Sequence, residues 1–197
     1  NMLREIVHQF YNHPAVVIWG HMCEVLGDAD WFWPKPQDPE RLAAYQEDAR
    51  EMTRHLHELT KQLDPSRLVG NDFHMDPSPH WYRDTGLTEI NDFNGWNLYH
   101  GWYHASLERL AEALEMTRAF APDRPYLIAE FGAGTDRRLH SHEATIYDLT
   151  PEYADRFHKT YLAEVKKRPW IAGMFIWTLV DFQRNSIGDT MKHINNK

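Results

Sequence analysis

Residues 15–24 read Ala-Val-Val-Ile-Trp-Gly-His-Met-Cys-Glu, an apolar run followed closely by a carboxylate. The β-branched run at 15–19 predicts a short strand buried on both faces, the form that strands take in parallel sheets. Residues 126–132, Tyr-Leu-Ile-Ala-Glu-Phe-Gly, repeat this arrangement. We therefore expect two strands of a parallel sheet to deliver Glu24 and Glu130 at their carboxyl ends.

The rest of the chain alternates between helix and strand signals. Apolar spacing predicts helices at 3–10, 39–63 and 106–120, a Thr150 cap followed by Pro151 predicts a fourth helix, and strands are expected at 15–19, 68–70, 89–98, 126–129 and 171–180. Such alternation implies an α/β fold, either an open doubly wound sheet or part of a (β/α)8 barrel. Neither GxGxxG nor GxxxxGK[ST] follows a strand, so the nucleotide-binding open sheet loses its main support.

Composition narrows the classes of function. The chain has 197 residues, 42% of them apolar, and a formal net charge of −8, which is a poor match for a phosphate backbone. The single cysteine, Cys23, cannot form an internal disulfide. No apolar run approaches the ~20 residues that cross a bilayer. We therefore expect neither nucleic acid nor membrane as a partner, and the compartment stays open between cytoplasm and periplasm.

Glu24 and Glu130 lie far apart in the sequence, so only a closed barrel brings them together. Active sites of barrels lie at the carboxyl ends of the strands. Paired carboxylates across a pocket are the groups that hydrolyse glycosidic bonds, because one protonates the leaving oxygen while the other attacks the anomeric carbon. The alternative is that each glutamate is a solvated or ion-paired residue at the rim of the sheet.

Aromatic side chains favour a carbohydrate substrate. Sugar rings stack their apolar faces on aromatic rings and hydrogen-bond polar groups through their hydroxyls. Aromatic residues on or near predicted strand ends are Trp19, Trp96, Tyr99, Trp102, Tyr103, Phe131, Trp177 and Phe182. Polar residues beside them are Asn97, His100, Asp181 and Asn195. Trp19 and Phe182 are expected to be core residues between layers, and Trp177 fits a core position and a sugar-binding position equally well.

Five segments resemble glycoside hydrolase family 2, the family of β-galactosidases and β-glucuronidases. Residues 12–20 with Glu24 resemble its acid/base segment, and residues 124–133 its nucleophile segment. Residues 97–103 are similar to its sixth-strand loop, and residues 176–182 to its eighth strand. Asp189-Thr190 and residues 194–197 resemble the loop that follows. The segments occur in the family's order and cover almost the whole chain.

The resemblance implies a partial (β/α)8 TIM barrel corresponding to about strands four to eight. Residues 1–197 are then the C-terminal portion of a glycosidase catalytic domain, truncated at both ends, without strands one to three and the preceding β-sandwich domains. No cofactor is evident in the sequence. A divalent cation bound by the absent part stays open.

The resemblance also implies roles for individual residues. Glu24 corresponds to the general acid/base, Glu130 to the nucleophile, and Tyr99 to the hydrogen-bond donor of the nucleophile. Trp177 corresponds to the sugar platform, and His13 and Asn97 shape the pocket. The implied reaction is a double displacement that retains configuration, with carboxyl groups roughly 5–5.5 Å apart.

Cys23 departs from the family, which places Asn before the acid/base to bind the sugar 2-hydroxyl. A thiol is a weak donor and acceptor. Cys23 therefore predicts low activity, a sugar that differs at C2, or a degenerate half-barrel that binds carbohydrate without hydrolysing it.

Residues near the C-terminus of the chain indicate the class of sugar that the protein acts on. Asn195 and Lys197 resemble the pair that binds the uronate carboxylate in β-glucuronidases, whereas Asp189-Thr190 with Ile194-Asn195 look more like β-galactosidases. The prediction is a β-galactosidase-like enzyme, with β-glucuronidase as the alternative.

Five strands without three partners leave open sheet edges. We therefore expect the isolated chain to form a homo-oligomer or to pair with a missing half-barrel, and to have little activity by itself. Residues 28–33 contain aromatic side chains that fit a leaving-group subsite or an oligomer contact equally well. Asp136, His140 and His142 fit a polar loop better than a metal site.

Overall fold

A computed structural model describes residues 2–26, 39–75, 79–103, 106–183 and 194–195. The helices are α1 (Met2–Phe10), α2 (Pro39–Leu63), α3 (His80–Asp84), α4 (Leu87–Ile90), α5 (Leu110–Phe120) and α6 (Pro151–Lys166), with a 3-10 turn at Leu107–Arg109. The strands are β1 (Ile18–Cys23), β2 (Leu68–His74), β3 (Phe93–Asn97), β4 (Tyr126–Phe131), β5 (Ile171–Ile176), β6 (Phe182–Gln183) and β7 (Ile194–Asn195). The first five strands form one sheet in chain order, and β6 pairs with β7. The predicted alternation of strands and helices is confirmed.

Capping chemistry made two helices predictable. Helix α2 has the predicted bounds, Pro39–Leu63. Helix α6 begins at Pro151, and the Thr150 side chain accepts a hydrogen bond from the backbone N–H of Tyr153 at 3.2 Å. Helices α1 and α5 lie at the predicted segments, with a 3-10 turn in place of the first residues of α5. The short helices α3 and α4 were not predicted, and α4 overlaps the start of a predicted strand.

The strand bounds differ from those predicted. Strand β1 begins at Ile18 rather than at residue 15, because the preceding residues form turns in which Val16 N–H donates to His13 O at 3.1 Å. Strand β2 continues past Gly70 to His74, and most of the predicted strand at 89–98 is α4 followed by the shorter β3. Strand β5 ends at Ile176, four residues early.

The chain divides into two compact units, the first of which comprises Asn1–Trp96 and Thr117–Leu127. A hydrophobic cluster in this unit joins α1 to the sheet through Val7, Trp19 and Val69. Strands β1 and β2 pair in parallel, with Ile18 opposite Leu68 and Cys23 opposite Asp72, and the register shifts between Gly20 and Met22.

Asp64 is a buried charge in the first unit. Its carboxylate accepts hydrogen bonds from Trp19 Nε1 at 2.9 Å, from Arg67 at 2.5 Å, and from the Ser66 hydroxyl at 2.6 Å. Burial alone raises the pKa of a carboxyl group, but the donors Ser66, Trp19 and Arg67 outweigh burial and hold the pKa of Asp64 well below its ordinary value. Asp64 therefore stays ionised and ties the end of α2 to β1.

The second unit comprises Asn97–Met116 and Ile128–Lys197. Its core contains a stack of aromatic rings, with Phe131 and Tyr161 at 5.1 Å between ring centroids and Phe157 and Tyr161 at 4.5 Å. Since Phe131 ends β4 and the other two rings belong to α6, the stack fixes this helix against the strand.

Apolar side chains are exposed along β5 and just beyond it. Phe175, Ile176 and Val180 are more than half exposed, and Leu179 is 94% exposed. Strand β5 is also an edge strand of the five-stranded sheet. Among the described helices, none combines the length and apolar character that a bilayer crossing requires.

Replacing Asp64 by Asn should lower the free energy of unfolding by about 3 kcal/mol, because it removes one partner of a buried ion pair. Urea denaturation at pH 7 measures the loss. The folded-state pKa of Asp64 is depressed, so the stabilisation is present above the unfolded-state pKa of about 3.9 and is lost as pH falls below it. The matched control is Asp84→Asn at an exposed ion pair, which should change stability by less than ~0.5 kcal/mol. Equal losses in the two variants contradict the prediction.

Candidate active site

Glu130 lies near the carboxyl end of β4 in the second unit, half-buried. The Tyr99 hydroxyl donates a hydrogen bond to Glu130 Oε2 at 2.7 Å. The backbone N–H of Leu98, the residue before Tyr99, donates to the carbonyl of Glu130 at 2.8 Å. This backbone hydrogen bond holds the segment that carries Tyr99 next to the strand that carries Glu130. A hydroxyl that donates to a carboxylate favours its charged form.

A tight turn after β3 holds Tyr99 in place. The backbone N–H groups of Trp102 and Tyr103 both donate to Tyr99 O, at 2.8 and 3.0 Å. Gly101 makes the turn possible because its φ is +87° and a Cβ there meets Leu107 side-chain atoms at 2.5 Å.

Helix α6 anchors the same turn. The Tyr161 hydroxyl lies within hydrogen-bond distance of Leu98 O at 3.0 Å and His100 O at 3.2 Å, and Tyr153 donates to Gly101 O. Two buried tyrosines of one helix therefore satisfy the carbonyls of the turn that carries Tyr99.

Two more predicted residues lie at strand ends of the second unit. Asn97 is the last residue of β3 and is buried. Trp177 follows β5, its backbone N–H donates to Phe131 O at 2.9 Å, and its ring meets Phe182 edge-on at 5.8 Å. The sequence prediction placed Asn97, Tyr99, Glu130 and Trp177 at strand ends, and the structure has each of them there.

Glu24 belongs to the first unit and follows β1 directly. Its backbone N–H donates to Asp72 O at 2.8 Å, so the β1–β2 ladder continues one residue past the strand. Its φ is +51°, in the left-handed region that a side chain makes costly. Such conformations persist where the surrounding structure enforces them and are concentrated at functional sites. Cys23, the preceding residue, is exposed.

Three titratable groups near Glu24 were missed by the sequence prediction. Burial raises the pKa of Asp72 to about 6, and the Glu24 carboxylate adds to the effect. Tyr82 is fully buried, its hydroxyl lies 3.2 Å from His74 Nδ1, and burial followed by the Glu24 charge raises its pKa. The sequence of β2 beyond Gly70 has no apolar alternation that predicts a strand, so local patterns could not have found these groups.

The other predicted substrate-binding residues are His13, Asn195 and Lys197, and they either do not lie at the strand ends described above or lie outside the described residues. His13 lies in the turn ahead of β1, with its Nδ1 accepting from Ala15 N–H at 3.2 Å, at the opposite end of the strand from Glu24. We therefore leave His13 out of the proposed site. Asn195 belongs to β7, opposite Phe182 of β6. Lys197 lies outside the described residues, as do Asp189, Thr190 and residues 28–33.

Within the described ranges, no three His, Cys, Asp or Glu side chains are grouped as a metal site requires. Asp136 instead bonds to Arg138, whose hydrogen bonds lower the pKa of Asp136 to about 2. His140 contacts Glu152 at 2.7 Å, and this carboxylate raises the pKa of His140. These ion pairs fit the polar loop that the sequence predicted for this segment.

The chain matches known proteins over almost its full length. The family described as "Glycosyl hydrolases family 2, TIM barrel domain" matches residues 1–192. The crystal structure of Bacteroides uniformis beta-glucuronidase aligns with 99% of this chain at 33% identity and a TM-score of 0.90. A curated beta-glucuronidase of Bacteroides fragilis is 26% identical over 185 residues, 91% of this chain. A putative beta-galactosidase structure from Bacteroides fragilis aligns with 92% of this chain at a TM-score of 0.69 and 23% identity, which supports the fold alone.

These matches decide between the open sheet and the barrel, in favour of a partial α/β barrel. The chain spans about a quarter of the length of the relatives it matches. It covers 23% of the length of the curated beta-glucuronidase and 23% of the length of the Bacteroides uniformis protein.

Replacing Gly101 by Ala should destabilise the protein by about 3 kcal/mol, because the new Cβ combines a positive φ with a clash against Leu107. Urea denaturation measures the loss. Gly20→Ala is the matched control, since a Cβ at Gly20 meets no atom within 4 Å. A similar stability of the two variants rules out the strained turn as the support of Tyr99.

Proposed function

Because the chain belongs to glycosyl hydrolase family 2, we propose that it supplies the catalytic residues of a retaining β-glycosidase. In this proposal, residues 1–197 correspond to strands four to eight of the catalytic barrel. The observation that carries it is the hydrogen bond from Tyr99 to Glu130 at the end of a buried strand. A nucleophilic carboxylate needs such a donor, since it must stay ionised in a half-buried position.

Glu130 is the nucleophile of the proposed reaction. Its carboxylate attacks the anomeric carbon, the bond to the leaving oxygen breaks, and a covalent glycosyl ester forms. Tyr99 orients the attacking oxygen and stabilises its charge by a charge-assisted hydrogen bond. As the ester forms, the charge on Glu130 disappears and the hydrogen bond weakens.

Glu24 is the acid and then the base. It gives its proton to the leaving oxygen in the first step, and in the second it takes a proton from the water that attacks the ester. The left-handed backbone of Glu24 and its bond to Asp72 O fix the direction of the side chain. Asn97 supplies polar contacts to the sugar, and Trp177 supplies an apolar ring face.

The proposed substrate class is a terminal β-linked glucuronide. Two kinds of support favour it over a galactoside: the beta-glucuronidase names of the relatives, and the Asn195-x-Lys197 pattern. A lysine ammonium stabilises a uronate carboxylate by charge, whereas a galactoside offers it only a hydroxyl.

Cys23 supports a second candidate, a degenerate half-barrel that binds carbohydrate without hydrolysing it. The residue is exposed beside Glu24, and its thiol is a poor partner for a sugar hydroxyl. Sugar binding without turnover, together with no gain of activity in Cys23→Asn, distinguishes this candidate from an impaired enzyme.

The exposed apolar residues of β5 support a partner as well. Strand β5 pairs with β4 and is the last strand of the sheet among the described residues, and Phe175, Ile176 and Leu179 are exposed on it or just beyond it. Exposed apolar side chains at a sheet edge favour assembly. We infer that a second copy of the chain or the remaining strands of the barrel cover this edge.

In the complete enzyme, replacing Glu130 by Ala should lower turnover of a 4-nitrophenyl β-glycoside by a factor on the order of 10⁴ or more, because no nucleophile remains. Azide should restore turnover and give a product of inverted configuration, since it attacks from the face that Glu130 occupied. Glu112→Ala, at an exposed ion pair, is the control and should retain activity. Unchanged turnover in Glu130→Ala overturns the assignment.

The substrate class is tested by comparing turnover of 4-nitrophenyl β-glucuronide with that of the matching β-galactoside by the complete enzyme. We expect Lys197→Ala to lower kcat/KM for the glucuronide roughly 10- to 100-fold, the loss of one charged hydrogen bond, and to leave galactoside turnover unchanged. Lys159→Ala, at an exposed ion pair with Asp155, controls for the loss of a surface charge. A wild-type preference for the galactoside returns the assignment to β-galactosidase.

A further inference from the structure

Strand β1 contains a bulge near its carboxyl end. Gly20 is the register partner of Gly70. Met22, two residues further along β1, pairs with Asn71, which is only one residue further along β2. His21 is therefore an extra residue in β1. A bulge re-aims the side chains that follow it, and bulges are frequent beside active sites.

Two successive side chains at the bulge face the same helix, α2. The His21 ring meets the His57 ring of α2 edge-on, with 6.2 Å between the ring centroids. The hydroxyl of Thr53, which also belongs to α2, lies 3.4 Å from Met22 Sδ. Since neighbouring side chains of a regular strand alternate between faces, the bulge inverts the alternation for the residues that follow it. A strand without the bulge would therefore bring Glu24 out on its opposite face.

The contact between His21 and His57 joins two neutral rings. His21 Nδ1, His21 Nε2 and His57 Nδ1 are buried, and no described residue gives any of them a hydrogen-bond partner. A positive charge on either ring would therefore be buried without compensation, which is costly. In agreement with this geometry, burial, to which His57 adds, lowers the pKa of His21 to about 4, and burial also lowers the pKa of His57.

Charged groups around the pair do not supply a counter-charge for His21. Within the described part of the chain, the titratable group that acts on His21 is His57, and no carboxylate does so. The other titratable groups that face His57 are Glu58 and Lys61 of α2, Asp92 ahead of β3, and Arg124 ahead of β4. Asp92 already binds Lys61 Nζ at 3.1 Å. The two carboxylates favour a charge on His57 and the two cations oppose it, so the histidine pair is most stable when both rings are neutral.

We propose that His21 is a positioning residue for Glu24: packed as a neutral ring against His57, it fixes the bulge that directs the acid/base. This role rests on the proposed function of Glu24, and His21 itself does not touch the sugar. A misdirected carboxyl group loses proton transfer to the leaving oxygen, a step that contributes on the order of 10²- to 10⁴-fold to the rate.

The same contact makes the end of β1 sensitive to acid. The unfolded chain takes up a proton on His21 near pH 6.5, whereas the folded protein takes it up only near pH 4. The unfolded state therefore binds more protons in this window, and the contact weakens as pH falls through it. Protonation of His21 places a charge between β1 and α2, which releases the bulge.

The first test is an NMR titration and needs no turnover. In the complete enzyme with ¹⁵N-labelled histidine and cysteine, His21 should titrate near pH 4, its signal being identified by its loss in His21→Phe. The backbone amide of Cys23 should shift with the same midpoint, also in Glu24→Gln, where the neighbouring carboxyl no longer titrates. This shift should vanish in His21→Phe and persist in His55→Gln, an exposed change on α2. A midpoint of about 6.5, the value of an unperturbed histidine, or a Cys23 amide that does not follow His21, overturns the proposal.

The second test compares two leaving groups in the complete enzyme. His21→Ala should lower kcat/KM for methyl β-glucuronide, whose leaving oxygen needs a proton, at least about tenfold more than for 4-nitrophenyl β-glucuronide, whose leaving group departs with little help. His21→Phe, which keeps a ring against His57, should restore most of the loss. His55→Ala, an exposed change on the same helix, should leave both substrates unaffected.

The two substrates separate positioning from stability. Equal losses for both in His21→Ala mean that His21 is merely structural, and they overturn the proposal. If the wild-type enzyme hydrolyses neither glucuronide, the proposed function fails, and the NMR titration still decides whether His21 governs the backbone ahead of Glu24.

Discussion

A carboxylate that must stay charged in a half-buried position requires a donor that cannot move away, and the Tyr99–Glu130 hydrogen bond meets this requirement. Several contacts in the second unit hold these two side chains in place. Glu130 is fixed by the strand, and Tyr99 by a turn whose carbonyls are satisfied by tyrosines of α6. The aromatic stack of Phe131, Phe157 and Tyr161 then sets the position of that helix. Tyr161 therefore links core packing to the geometry of the nucleophile, because its ring belongs to the aromatic stack and its hydroxyl binds the turn that carries Tyr99.

The first unit contains two partly or fully buried aspartates with opposite electrostatics. Asp64 is surrounded by Ser66, Trp19 and Arg67, and these donors overcome the cost of burial and hold it ionised. Burial raises the pKa of Asp72 to about 6, and the Glu24 charge adds to the effect. An ionised, hydrogen-bonded group is suited to a structural tie, whereas burial favours the neutral form of Asp72. The difference lies in the neighbours, since the two residues have the same side chain.

Sequence patterns predicted the parts of this structure that depend on local chemistry. Pro39 and the Thr150-Pro151 cap predicted helix positions correctly, because capping is decided within one turn of the chain. The end of β2 was missed because Asp72 is a polar residue inside a strand, and only its partner β1 makes that conformation favourable. His13 was assigned to the site by a sequence pattern, but the turn ahead of β1 holds it at the other end of the strand.

The backbone of Glu24 is a case in which a contact between strands decides a local conformation. A side chain at φ +51° costs free energy that the local sequence does not recover, since Glu has no preference for the left-handed region. What enforces the conformation is the bond from Glu24 N–H to Asp72 O, a contact between residues on different strands. The strain at Glu24 therefore has its cause in the continuation of the β1–β2 ladder by a single residue beyond Cys23.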